Sequence, residues 1–84
     1  MVKILYFAAL RESLGTTSEH VPLPAPGATV SALLDHLRDR DARWSEAFAP
    51  GKRFRVAVNQ DMADLSTPLK PGDEVAFFPP VTGG

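Results

Sequence analysis

The residues able to do side-chain chemistry are few in this 84-residue chain, and their spacing assembles no working set. His20 and His36 fall on different segments with no histidine at i+4, so each is expected at the surface and no metal ligation is expected. The chain has no cysteine, which excludes disulfides, thiolate metal sites, iron–sulfur ligation and side-chain persulfide chemistry. Ser13, Ser18, Ser31, Ser45 and Ser66 lie in no Gly-x-Ser-x-Gly context and have no base placed beside them. Gly51-Lys52 lacks the earlier glycine and the following hydroxyl residue of a phosphate-binding loop, and reads as a turn. Asp39 and Asp41 sit in the charged run HLRDRDAR, which reads as a solvated helix end rather than an acid–base pair.

What remains is main-chain chemistry at residues 77–84, FFPPVTGG. Pro79 and Pro80 stop a strand and impose extended geometry, which is expected to hold the tail off the body. At ~3.1 to 3.4 Å per residue, residues 79–84 reach roughly 20 Å, enough to enter the cleft of another enzyme. Gly83 and Gly84 end the tail without side chains. Activating a terminal carboxylate as an acyl-adenylate requires a cleft to close round the backbone on all sides, and glycine offers no steric obstacle. The reactive group is then the carboxyl of Gly84 itself.

Such a tail needs a small, rigid body behind it. Residues 2–8, VKILYFA, combine β-branched and aromatic types with a single charge, predicting a central strand buried on both faces. Residues 9–14 switch to helix formers and end at Gly15, predicting a short helix with a left-handed stop. Residues 16–23 alternate with period two, and Pro22 confines them to an edge. After the stiff connection PLPAPG, Thr29 is a candidate N-cap. Val30, Leu33, Leu34 and Leu37 follow at i, i+3, i+4, i+7 and form one apolar stripe. Trp44, Ala47 and Phe48 mark a second short amphipathic piece, closed by Pro50-Gly51.

Residues 54–59 alternate as a strand, Asn59-Gln60-Asp61 signals a turn, and residues 62–69 read as a loop or short edge strand. Pro71-Gly72-Asp73 predicts a tight turn leading into a last strand over residues 74–78. The order is ββαββ. The economical packing is an α+β domain, a mixed four- or five-stranded sheet with one long helix across one face, which is the ubiquitin-like β-grasp. Its first and last strands are expected to pair in parallel at the centre, with residues 1–78 as the domain and 79–84 as the tail.

Composition supports a single small globular domain: 44% hydrophobic, 23% charged and a formal net charge of −1. Nine basic against ten acidic residues give no cationic excess for nucleic acid. The longest wholly apolar run, residues 4–10, falls far short of the roughly 20 residues of a membrane helix, and no signal peptide is recognised; a cytoplasmic protein is expected.

Several segments together resemble one family. The opening VKILYFAALRESLGT, the helix TVSALLDHL, the strand and turn VAVNQ, and above all PLKPGDEVAFFPPVTGG are similar to the MoaD family of sulfur carriers, the small subunits of molybdopterin synthase. The double glycine alone is shared with ubiquitin and with the thiazole-pathway carrier, whereas GDEVAFFPPVTGG with FAALRE near the start is not. The resemblance implies a cycle. A MoeB-like, E1-type enzyme uses ATP to adenylate Gly84, and a sulfur donor protein converts the adenylate to a thiocarboxylate. The tail then enters a MoaE-like large subunit, in a heterotetramer, where the sulfur attacks a pyranopterin precursor.

On that reading the chain is non-catalytic alone and binds no cofactor or metal of its own. Val81 and Thr82 are expected to make strand-like main-chain hydrogen bonds in the partner groove, with Pro80 leading into it. Phe78 lies on the strand face opposite Val75 and Phe77. A docking patch of Phe7, Phe78 and Pro79, rimmed by Arg11, is therefore expected; the competing expectation puts both phenylalanines in the core. Two further readings share the sequence: a carrier for another acceptor, in thiazole synthesis or protein conjugation, and a non-catalytic β-grasp interaction domain.

Overall fold

The computed structural model describes residues 1–80. The chain runs β1 (Val2–Tyr6), α1 (Ala8–Leu14), β2 (Ser18–Val21), α2 (Val30–Arg38), α3 (Ala42–Ala47), β3 (Arg55–Val58), β4 (Asp61–Ala63) and β5 (Glu74–Phe78). The strands form one mixed sheet in the order β2-β1-β5-β3-β4, with β1 and β5 parallel and every other pairing antiparallel. This is the expected β-grasp arrangement, with five strands. The first and last strands pair in register from Lys3–Glu74 to Tyr6–Phe77, and β5 is the central strand.

The long helix forms where its apolar stripe predicts. The Thr29 hydroxyl accepts from the Ala32 amide at 3.3 Å, and Val30, Leu33, Leu34 and Leu37 are all buried. They pack with Val2, Ile4 and Tyr6 of β1, Val56 of β3, and Val75 and Phe77 of β5 into one core. Two shorter helices complete that layer. α1 ends at Gly15, whose φ of 70° is the left-handed stop, and α3 starts at Asp41, which accepts from the Arg43 amide at 2.8 Å.

Two expectations need correction. β1 is buried on one face only: Val2, Ile4 and Tyr6 are buried, while Lys3 is exposed and Leu5 half-buried. The helices cover a single face of the sheet, so a continuous apolar run here does not signify two-sided burial. The strand also stops at Tyr6, two residues early, because Phe7 remains extended and Ala8 turns to a φ of +52°, breaking directly into α1. The run HLRDRDAR is more than a solvated end. Arg38 Nε donates to the Phe48 carbonyl at 2.7 Å, and Arg40 reaches the edge strand.

The two tight turns match their sequence signals. Asn59 and Gln60, with φ of 51° and 72°, form the two-residue loop of a β3–β4 hairpin, and the short edge strand β4 follows. In the Pro71-Gly72 turn Gly72 takes a φ of 90°, and the Asp73 amide donates to the Lys70 carbonyl at 3.1 Å. No described helix is long and apolar enough to cross a membrane.

Candidate functional site: the base of the carboxyl-terminal tail

The central strand leads straight to the tail, and aromatic packing fixes its end. Phe77 is fully buried, stacked on Tyr6 with ring centroids 6.3 Å apart and meeting Phe48 edge-on at 5.2 Å. Phe54 closes the group, 5.2 Å from Phe48 and 5.9 Å from Phe77. On both sides β5 is held by main-chain ladders, through Tyr6–Phe77 and Arg55–Phe78. The residue that precedes Pro79 is thus held in a defined position.

Beneath Tyr6 lies a polar network joining β1, β2, α3 and the α2–α3 connection. The Tyr6 hydroxyl donates to Glu19 Oε2 at 2.7 Å and accepts from the Trp44 indole at 3.0 Å. Arg40 binds Glu19 through both terminal nitrogens, at 2.9 and 2.7 Å, with its guanidinium 4.4 Å from the Trp44 ring centre. Burial pushes the Tyr6 phenol far above its ordinary value, against the Trp44 hydrogen bond. Burial likewise pushes the Glu19 carboxyl up, but the hydrogen bonds from Arg40 and Tyr6 outweigh it and hold the group below its ordinary value. The hydrogen bond to Glu19 raises Arg40 in turn. Through these hydrogen bonds the network braces the β1–β2 edge against α3.

The expected docking residues gather at one end of the sheet. Phe7 is 44% exposed and Phe78 is half-buried, and neither belongs to the core. Phe7 is extended and its amide donates to the Phe77 carbonyl at 3.1 Å, so it stands one step past the Tyr6–Phe77 pair. By strand alternation Phe7 and Phe78 both face away from the helices. Arg11 is exposed on α1, the helix that starts beside Phe7.

Pro79 and Pro80 are half-buried at the end of β5. Pro79 borders a hollow of about 180 Å³ with Leu10 and Ser13 of α1. Pro80 borders another of about 470 Å³ that Lys52, Arg53 and Arg55 also line. Val81, Thr82, Gly83 and Gly84 lie outside the described residues.

Reading the sequence missed this cationic hollow, although the run KRFR at residues 52–55 was its visible signal. His20 and His36 are both exposed, on β2 and α2. Among the described residues no three His, Cys, Asp or Glu side chains cluster to hold a metal ion.

Comparison with known proteins covers the whole chain. The model of the ThiS family matches residues 4–84. The chain is 48% identical to the molybdopterin synthase sulfur carrier subunit of Escherichia coli over 84 residues, all of both chains. Its fold is similar to the crystal structure of SAMP1 from Haloferax volcanii, with a TM-score of 0.80 at 32% identity, covering 99% of this chain and 98% of that one. It is similar also to a chain in the BexX/CysO complex of Amycolatopsis orientalis, with a TM-score of 0.71 at 26% identity and full coverage of both.

Proposed function

The chain belongs to the ThiS family, and from that footing we propose that it is the sulfur carrier subunit of a molybdopterin synthase, working through the carboxyl of Gly84. The observation that carries this reading is the end-to-end match to the Escherichia coli subunit of that name, over a fold whose central strand runs out into the Gly-Gly tail. The absence of cysteine fits it, because a thiocarboxylate is a sulfur nucleophile that needs no thiol of the chain's own.

The chemistry divides among partners. An E1-like, MoeB-like enzyme joins the Gly84 carboxylate to the AMP moiety of ATP, with pyrophosphate leaving. A sulfur donor protein supplies sulfur to the acyl carbon, AMP leaves, and a thiocarboxylate results. Inside a MoaE-like large subunit that sulfur attacks the pyranopterin precursor. Water then cleaves the acyl–sulfur bond and the carrier returns with a plain carboxylate. A dithiolene has two sulfurs, so each product consumes two carriers. ATP is bound by the activating enzyme, and this chain holds no cofactor; the cycle runs in the cytoplasm.

In this reading the chain supplies geometry. Phe7, Phe78 and Pro79 seat the large subunit, Arg11 contacts its rim, and Pro80, Val81 and Thr82 engage the groove that receives Gly83 and Gly84. The likeness to a chain of the BexX/CysO complex supports a carrier that works in complex with another protein.

A second reading rests on the likeness to SAMP1: the same tail chemistry with a different acceptor. The test is to incubate the thiocarboxylated chain with pyranopterin precursor and the large subunit. Formation of the dithiolene product is expected. Thiocarboxylate that persists with no dithiolene would reject the molybdopterin assignment and favour another acceptor.

A further inference from the structure

The hollow beside Pro80 has a charge and an edge that the tail chemistry leaves unused. Lys52, Arg53 and Arg55 line it and are all exposed. The ion pairs among the described residues involve Arg38, Arg40 and Arg43, and none involves these three. The one carboxylate in the lining, Asp64, is exposed but engaged by its own turn: its Oδ1 accepts from the Ser66 amide at 2.9 Å and the Ser66 hydroxyl at 2.6 Å. A chain with formal net charge −1 therefore concentrates three unpaired cations in one place.

The rest of the hollow is apolar. Met62 and Leu65 line it at 61% and 47% exposure, two of the few large hydrophobic side chains exposed to that degree. β4 is also a free sheet edge. The Asn59 amide donates to the Glu74 carbonyl at 2.8 Å, so alternate β3 residues, Asn59 and Ala57, turn their main-chain groups toward β5. Val58 and Val56 then bond to β4, and Ala57–Met62 is a non-hydrogen-bonded pair. The N–H and C=O of Met62 consequently point outward, unclaimed by the sheet.

We propose that this hollow docks an acidic, extended peptide segment of a partner protein, added as a short strand along Met62 with its carboxylates on Lys52, Arg53 and Arg55. Charge complementarity and the free edge select that occupant together, and an apolar side chain of the segment covers Met62 and Leu65. A phosphate or polyphosphate would satisfy the cations while leaving the apolar floor and the Met62 main chain without a role. The surface adjoins the Phe7–Phe78 face through the Arg55–Phe78 pair, and the contacts it offers the peptide do not involve the chemistry of Gly84.

The test is an amide NMR titration of the full chain with acetyl-Asp-Glu-Leu-Glu-Asp-amide. Shifts centred on Met62 are expected, with affinity falling as salt rises. The K52S/R53S/R55S variant, which alters only exposed positions, should bind at least roughly fivefold more weakly. A peptide N-methylated at its leucine, which cannot donate to Met62, should also bind several-fold more weakly to the unaltered chain. Equal affinity in the triple variant overturns the proposal. So does tripolyphosphate binding at the three cations while the peptide leaves the Met62 amide unshifted.

Discussion

The Phe7 amide donates to the Phe77 carbonyl at 3.1 Å, carrying the β1–β5 ladder one residue beyond the last in-register pair. That bond ties the start of α1 to the strand that becomes the tail, and it leaves the exposed Phe7 ring next to the departure point. Phe7→Ser keeps the main-chain bond and removes the ring. Affinity for the large subunit should fall by roughly 1–3 kcal/mol, as for an aromatic interface anchor, while the urea midpoint changes little. Calorimetric titration and urea unfolding on the same variant check both halves.

Tyr6→Phe removes one oxygen that serves two partners. The Trp44 indole loses its acceptor and Glu19 loses a donor, while the ring packing against Phe77 is kept. A buried donor left unsatisfied costs about 1–3 kcal/mol, so the urea midpoint should drop by that equivalent with the slope unchanged.

Asp73 makes stability depend on acid pH. The Asn59 side-chain amide, at 3.0 Å, and the Lys70 amide, at 2.8 Å, both donate to it and hold its carboxyl below the ordinary value against a burial penalty. A depressed folded value means the contribution is complete above the unfolded carboxylate range, at about pH 4, and is lost as pH falls through the folded value. Asp73→Asn should therefore be less stable than the parent at pH 7. The gap should close as unfolding curves are repeated toward pH 2.

Gln60 occupies a left-handed position, φ 72°, in the β3–β4 turn, where glycine carries no side-chain penalty. Gln60→Gly should raise stability by up to ~1 kcal/mol, read as an increase in Tm. An unchanged or lower Tm would mean the turn is not strained at that residue.

Local pattern made most of the scaffold legible. The i, i+3, i+4, i+7 stripe of α2, the Gly15 stop and the Pro71-Gly72 turn each depend on neighbours within a few residues, and each formed where its signal stands. One-sided burial of β1 was not legible, because an apolar run does not say how many helices the rest of the chain can lay over the sheet. The network of Tyr6, Glu19, Arg40 and Trp44 was hidden for a related reason. Its hydrogen-bonded partners lie 13 to 38 residues apart, and only the β1–β2 pairing and the α2–α3 corner bring them together. At the site, the turning of Phe78 away from the Phe77 face followed from strand alternation, whereas the hollow formed by residues 52–55 with Pro80 required the tertiary fold.

The central claim is that sulfur is carried on the terminal carboxyl. Intact-mass spectrometry of the chain, after incubation with the activating enzyme, ATP and a sulfur source, tests it most directly. The account predicts a gain equal to the replacement of one oxygen by sulfur, located by fragmentation at Gly84 and absent when Gly83 and Gly84 are deleted from an otherwise folded chain. An unchanged mass in the full chain, or sulfur transfer that survives the deletion, would contradict it.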